Sequence, residues 1–206
     1  MAVDDLEIAR AFDQARTELY CPPCRLEVLR DPKRRWERPR LEAQSSVLKG
    51  VVQVRTEPIH TSRHPEDYLL WSLRHSLGHA HYCPYDVRTA YQLQKAAYSI
   101  TRSRELSFFT LLLFSDLQLD CGYLRDRFRM MPYHLEEDFR RARPKGIGRL
   151  FYSVYQLFYP SLAGHHVPRE FSTYSALIAE TIRLPKPWFI KVQTIAAVLR
   201  KLRARN

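Results

Sequence analysis

No stretch of this chain stays apolar for the roughly 18 residues that a membrane-crossing helix needs, so the sequence predicts no transmembrane segment. Glycine is scarce, at 6 residues, and no repeat or low-complexity tract is present, which excludes collagen-like and fibrous architectures. Cysteine is scarce too, at 4 residues, and in a cytoplasmic chain these are expected as thiols rather than as a disulfide framework. Cys21-Pro22-Pro23-Cys24 is a CxxC pair without a second pair to complete a structural zinc site. Plain thiols, a disulfide and a zinc pair remain alternatives for Cys21 and Cys24, with thiols expected in a reducing compartment. The opening residues "MAVDDLEIARAFDQARTELY" start acidic and read as an amphipathic helix, not as a signal peptide. The expected location is therefore the cytoplasm.

What is present is enough for one well-buried domain: 206 residues, 45% of them hydrophobic and 12% aromatic. The net charge is +11 and Arg dominates it. Such a balance points either to a polyanionic partner or to a composition in which Arg makes forked ion pairs. Three basic clusters stand out: "PKRRWERPR", "FRRARPKGIGR" and the terminal "VLRKLRARN". In a nucleic-acid reading, Arg34, Arg35, Arg140, Arg141 and Arg143 would contact phosphates and Trp36 would stack on a base. No known nucleic-acid motif accompanies them, and clusters of this kind are usually solvated faces. The tail "PWFIKVQTIAAVLRKLRARN" reads as a basic amphipathic helix that docks on this domain or on a partner rather than on a membrane.

Apolar spacing predicts a helix over residues 4–19. Alternating β-branched residues predict two or three strands within 25–29 and 46–56. A connection follows, and a helix from about 65 to 81 starts at Pro65-Glu66-Asp67, capped by His64 or Thr61. Pro84 stops it and Asp86 caps the next helix. A helix over about 104–128 is apolar nearly all round, so it should be buried. Further helices are expected near 134–141, 147–159, 169–183 and 187–203. The predicted fold class is α+β and mainly helical: a small N-terminal sheet, then a helical bundle.

The 65–81 helix carries "RHSLGH". His75 and His79 are four residues apart, on one helical face, about 5–6 Å apart at Cβ. Two imidazoles so placed can meet one metal ion. Gly78 would let another element approach closely beside the second histidine. With 8 histidines in the chain, this spacing alone is weak, and a third ligand has to be found. Asp116 and Asp120 in "LFSDLQLD" lie among Leu and Phe, where a carboxylate must be paired or coordinated. The alternatives are a shared metal or an ion pair with Arg74, Arg125 or Arg127.

This arrangement resembles a zincin-type metallopeptidase domain of bacteria and archaea that is often joined to a von Willebrand factor A-type domain. In that family an N-terminal helix and small sheet precede an HExxH helix. A later helix carries a pattern close to N-x-A-x-D-x-x-I-N, whose Asp is the third zinc ligand. "LRHSLGH" aligns with the first motif and "LLLFSDLQLD" with the second, placing Asp116 on the ligand and Asp120 on the final Asn; "PYD" is also similar. The resemblance covers roughly residues 1–130. It implies a zincin-like metal-binding domain over that range, with residues 131–206 as a helical region packed on it. It also implies one Zn²⁺ held by His75, His79 and Asp116, and a protein or peptide as substrate.

The departure lies at Ser76, where the family has Glu. That Glu takes a proton from metal-bound water and returns it to the leaving amine. A serine hydroxyl can orient such a water but cannot deprotonate it near neutral pH. The readings that follow are a degenerate peptidase that is weakly active or inactive, a base relocated to Asp120 or the remote Glu105, or a residue 76 deliberately altered from Glu. His81 and Cys83 are expected behind the ligands or away from them, and His165 and His166 in a surface loop.

Overall fold

The computed structural model describes residues 3–30, 47, 49–133, 135–136, 146–162 and 169–204. Helix α1 (Asp5–Glu18) starts with a capping box. Asp4 accepts from the Glu7 amide at 2.8 Å, and Glu7 accepts from the Asp4 amide at 2.9 Å. Two strands, β1 (Arg25–Leu29) and β2 (Val51–Arg55), pair in parallel with Arg25 opposite Val51 and Leu29 opposite Arg55. The second strand is shorter than the alternating stretch 46–56 suggests: it starts only at Val51, after a turn at Lys49-Gly50, and ends at Arg55, where Thr56–His60 forms a short helix, α2. Pro58 fits its first turn, where the missing N–H has no partner to lose, and Glu57 suits the helix dipole.

Helix α3 (Pro65–His81) begins at His64, but neither expected cap operates. The His64 side chain makes no capping bond, and the Thr61 hydroxyl donates backwards to the Glu57 carbonyl at 3.0 Å. The start rests on Pro65 and the acids Glu66 and Asp67. Asp86 caps α4 (Val87–Thr101) as expected, accepting from the Thr89 amide at 2.8 Å. Helix α5 (Arg104–Leu117) does not run on unchanged to 128. Its backbone widens into a π-helical segment, π1 (Gln118–Leu124), and returns to α in α6 (Arg125–Phe128). Three further helices are α7 (Ile147–Phe158), α8 (Arg169–Arg183) and α9 (Trp188–Arg203). Most of the helix expected near 134–141 lies outside the described residues.

The described chain is mainly helical with this small parallel sheet. Its buried apolar residues form two clusters. One gathers Ile8, Phe12, Val52, Val54 and Ile59 with Leu69, Leu73 and Leu77 of α3. The other gathers α4, α5 and the three C-terminal helices around Leu93, Phe114, Leu117, Tyr155, Ile178 and Ile195. Helix α3 turns its leucines to the first cluster and its histidines towards α5 and π1. The candidate site therefore lies on the seam between the two cores. Among the described residues, no helix is long and apolar enough to cross a membrane.

Candidate metal centre

Gly78 sets how closely α3 and π1 approach. A Cβ at that position would lie 2.6 Å from Leu119 Cδ1, so only the absence of a side chain admits the fully buried leucine. The expected close approach is thereby found, and it brings Asp116 and Asp120 against the two histidines. Asp116 is the last acidic residue of the α-helical part, and Asp120 lies in the π segment. π-Bulges inside α-helices occur often at functional sites. Here the two carboxylates meet the histidines on different ring nitrogens.

His75 Nδ1 lies 2.8 Å from Asp120 Oδ1, and His79 Nδ1 lies 2.8 Å from the Cys83 carbonyl oxygen. A carbonyl only accepts, so His79 Nδ1 carries the proton; the Asp120 carboxylate assigns the same tautomer to His75. In the neutral imidazoles, each Nε2 then presents a lone pair. The two Nε2 atoms are 3.2 Å apart, and Asp116 Oδ1 stands 3.4 Å from His79 Nε2 and 3.8 Å from His75 Nε2. Three electron-pair donors converge on one point.

Such a trio is held together by a proton on one Nε2 or by a cation between its members. Ligands about 2.0–2.1 Å from a tetrahedral ion are spaced about 3.3–3.4 Å apart, close to the observed separations. His75, His79 and Asp116 form the one three-ligand cluster found among the described residues, and it could hold a metal ion. Two imidazole nitrogens and a carboxylate oxygen are ligands for zinc and for iron(II) alike.

Behind the ligands the support is dense. The Tyr155 hydroxyl donates to Asp120 Oδ2 at 2.9 Å, and the Tyr159 hydroxyl donates to the Asp120 carbonyl at 2.6 Å. Burial, followed by the nearby charge of Asp120, pushes the Tyr155 phenol well above its usual range, which keeps it a donor. Asp120 is 1% exposed, with one carboxylate oxygen at His75 and the other at Tyr155. That is the placement of a carboxylate that orients a metal-binding histidine.

Neither tyrosine is singled out by the sequence reading, although "YSVYQLFY" places Tyr152, Tyr155 and Tyr159 on one helical face. Buried tyrosines need hydroxyl partners, and that pattern is the signal that could have found them. Cys83 acts through its carbonyl, while burial pushes its thiol far up and leaves it protonated.

Ser76 is half-buried on α3 beside His75. His81 points away from the cluster, between the rings of Tyr20 and Tyr123, with centroids 5.2 Å and 5.7 Å distant. The arginines weighed as partners of the aspartates have other partners: Arg74 pairs with Glu18, Arg127 with Tyr20 and the Glu18 carbonyl, and Arg125 with Asp126. Glu105 is exposed in the first turn of α5, about 16 Å along the axis from Asp116. All four cysteines are free, Cys21 exposed and the others buried. Arg34, Arg35, Trp36, Arg140, Arg141, Arg143, His165 and His166 lie outside the described residues.

No family model, curated protein or solved structure matches this chain. The functional reading therefore rests on the cluster itself.

Proposed function

We propose that the chain is a zinc-binding, metallopeptidase-like protein of zincin type in which His75, His79 and Asp116 hold the ion. Ser76 stands where a peptidase carries its proton-transferring Glu. One observation carries the reading: the three lone-pair atoms converge at 3.2 to 3.8 Å while both outer imidazole nitrogens are hydrogen-bonded.

Zinc bound by three protein ligands polarises substrate carbonyls and makes a bound water more acidic. The chain's own residues do the positioning. Asp120 and the Cys83 carbonyl fix the ring orientations, and Tyr155 fixes Asp120. Proton transfer is the missing function. The Ser76 hydroxyl is too weak a base, and both Asp120 oxygens are engaged behind His75. Weak or absent peptidase activity follows, with service as a metal-binding or interaction module.

The test is metal analysis of protein purified without chelator, beside His75→Ala and Asp116→Ala. One zinc per wild-type chain, lost in both variants, is the expected result. Folded wild-type protein without stoichiometric metal overturns the reading.

A further inference from the structure

The charge of this molecule is segregated. Of the chain's 33 cationic and 22 acidic residues, residues 87–104 and 181–206 hold eleven of the cations and none of the carboxylates. The rest of the chain therefore has 22 of each and is neutral, so these two segments account for the whole net charge of +11. They are distant in sequence but adjacent in space. They contain α4 and α9, which lie side by side: Arg200 donates to the Ile100 carbonyl at 2.9 Å, and Arg203 to the Ser103 hydroxyl at 3.2 Å.

The outer face of α4 is ordered. Arg88, Lys95 and Arg102 follow one another at intervals of seven residues, and all three are exposed. On the helix Arg88 and Lys95 stand about 10 Å apart on one side, and Arg102 follows just past its end, at the left-handed C-cap. Beside them stand Tyr91 and Tyr98, 65% and 40% exposed, about 40–60° around the axis from their nearest cations, Arg88 and Lys95. Neither helix carries a carboxylate within its own span; the cap Asp86 lies beside Arg88 at one end of the row and leaves Lys95 and Arg102 without an acid on either helix. An exposed aromatic is commonplace singly; two of them alongside a cation row suit a ligand with negative charges and flat faces.

We propose that the α4–α9 face binds single-stranded nucleic acid, with Arg88, Lys95, Arg102 and Arg200 on the phosphates and Tyr91 and Tyr98 stacked on bases. Cationic tracks with separated aromatic platforms are how sequence-tolerant single-strand binders work. A duplex hides its base faces within the stack, so the tyrosines would have nothing to stack on. A membrane-lying helix needs a continuous apolar stripe to insert. The apolar stripe of α4, Ala90, Leu93 and Ala97, is already buried in the core. The surface is independent of the metal centre, and neither activity requires the other.

Fluorescence anisotropy of a labelled oligothymidylate of about 20 nucleotides tests this on the full chain, with circular dichroism checking the fold of every variant. The triple change Arg88→Gln, Lys95→Gln, Arg102→Gln should weaken binding at least about tenfold. It should also lower the slope of log affinity against log salt by about 2. The equal charge change Arg10→Gln, Arg25→Gln, Lys49→Gln on the N-terminal part should change affinity less than about threefold. Tyr91→Ala with Tyr98→Ala should weaken the oligonucleotide about tenfold and leave inorganic polyphosphate binding unchanged. The proposal is overturned if the strand does not bind at about 50 mM salt, or if the two triple variants weaken alike. It is overturned equally if the tyrosine changes affect both ligands or neither, or if a duplex or phosphatidylserine vesicles bind as tightly as the strand.

Discussion

Tyr155 holds Asp120 from behind: its hydroxyl lies 2.9 Å from one carboxylate oxygen while the other faces His75 at 2.8 Å. A helix near the C-terminal end of the chain thus reaches the histidine pair through a single carboxylate. Tyr155→Phe removes the donor and leaves Asp120 Oδ2 buried. Zinc affinity, measured by competition with a chromogenic chelator, should fall about 10–100-fold. Unchanged affinity in the folded variant would show that Asp120 needs no anchor to orient His75.

Gly78→Ala tests the contact between α3 and π1. Alanine gains up to about 1 kcal/mol in helix propensity. Forcing a methyl group against Leu119 costs about 1–3 kcal/mol. A net destabilisation of about 1 kcal/mol is expected in urea unfolding, because Leu119 is fully buried and has little room to retreat. Zinc binding should weaken as well, since Leu119 lies between Asp116 and Asp120 in the chain.

On the proposed function, Ser76→Glu supplies the missing base. Zinc-dependent cleavage of a quenched fluorescent peptide should rise about 10²–10⁴-fold over wild type. A wild type that already cleaves, and loses activity in Asp120→Asn, would instead place the base at Asp120.

The Arg74–Glu18 pair sets a pH dependence of its own, separate from the histidine–aspartate cluster. Arg74 donates through Nε and Nη2 to both Glu18 oxygens, each at 2.7 Å. Burial raises the Glu18 carboxyl, but the Arg74 and Gln14 hydrogen bonds and the charges of Arg74 and Arg127 outweigh it and hold it below its usual value. A carboxyl depressed in the folded state stabilises it above the ordinary Glu value, and loses that contribution as pH falls through its own lower value. Glu18→Gln should therefore be about 2 kcal/mol less stable than wild type at pH 7. The gap should close below about pH 4, as the wild-type carboxyl takes up its proton. Denaturant midpoints at the two pH values measure it; a gap that stays constant would show that the charge contributes nothing.

The readable part of the fold was written in residues with strong local preferences. Pro65-Glu66-Asp67 opens α3, Pro84 ends it, and Asp86 caps α4. The His75/His79 spacing and the misplaced-looking Asp116 were legible because a helix face and a buried charge both have simple rules. The π segment was not, because its register depends on packing against α3 and π1 contains no residue that demands it. Tyr155 and the Cys83 carbonyl were hidden for a similar reason. One lies 80 residues from His75, and the other is a backbone group without side-chain identity. The basic clusters are dense along the sequence and legible there. The cations of α4 are sparse in sequence and come together only when the helix stacks positions 88 and 95 and ends at Arg102.

The position of the cluster on the seam between two cores bears on kinetics. Helix α3 supplies two of the three ligand atoms and is held in place largely by the smaller N-terminal core. Proteins open in such cooperative pieces before they unfold globally. Opening that piece would carry His75 and His79 away from Asp116 together, so the lifetime of a bound ion would be set by the fluctuation rate of residues that never touch it, such as Ile8, Phe12 and Val52.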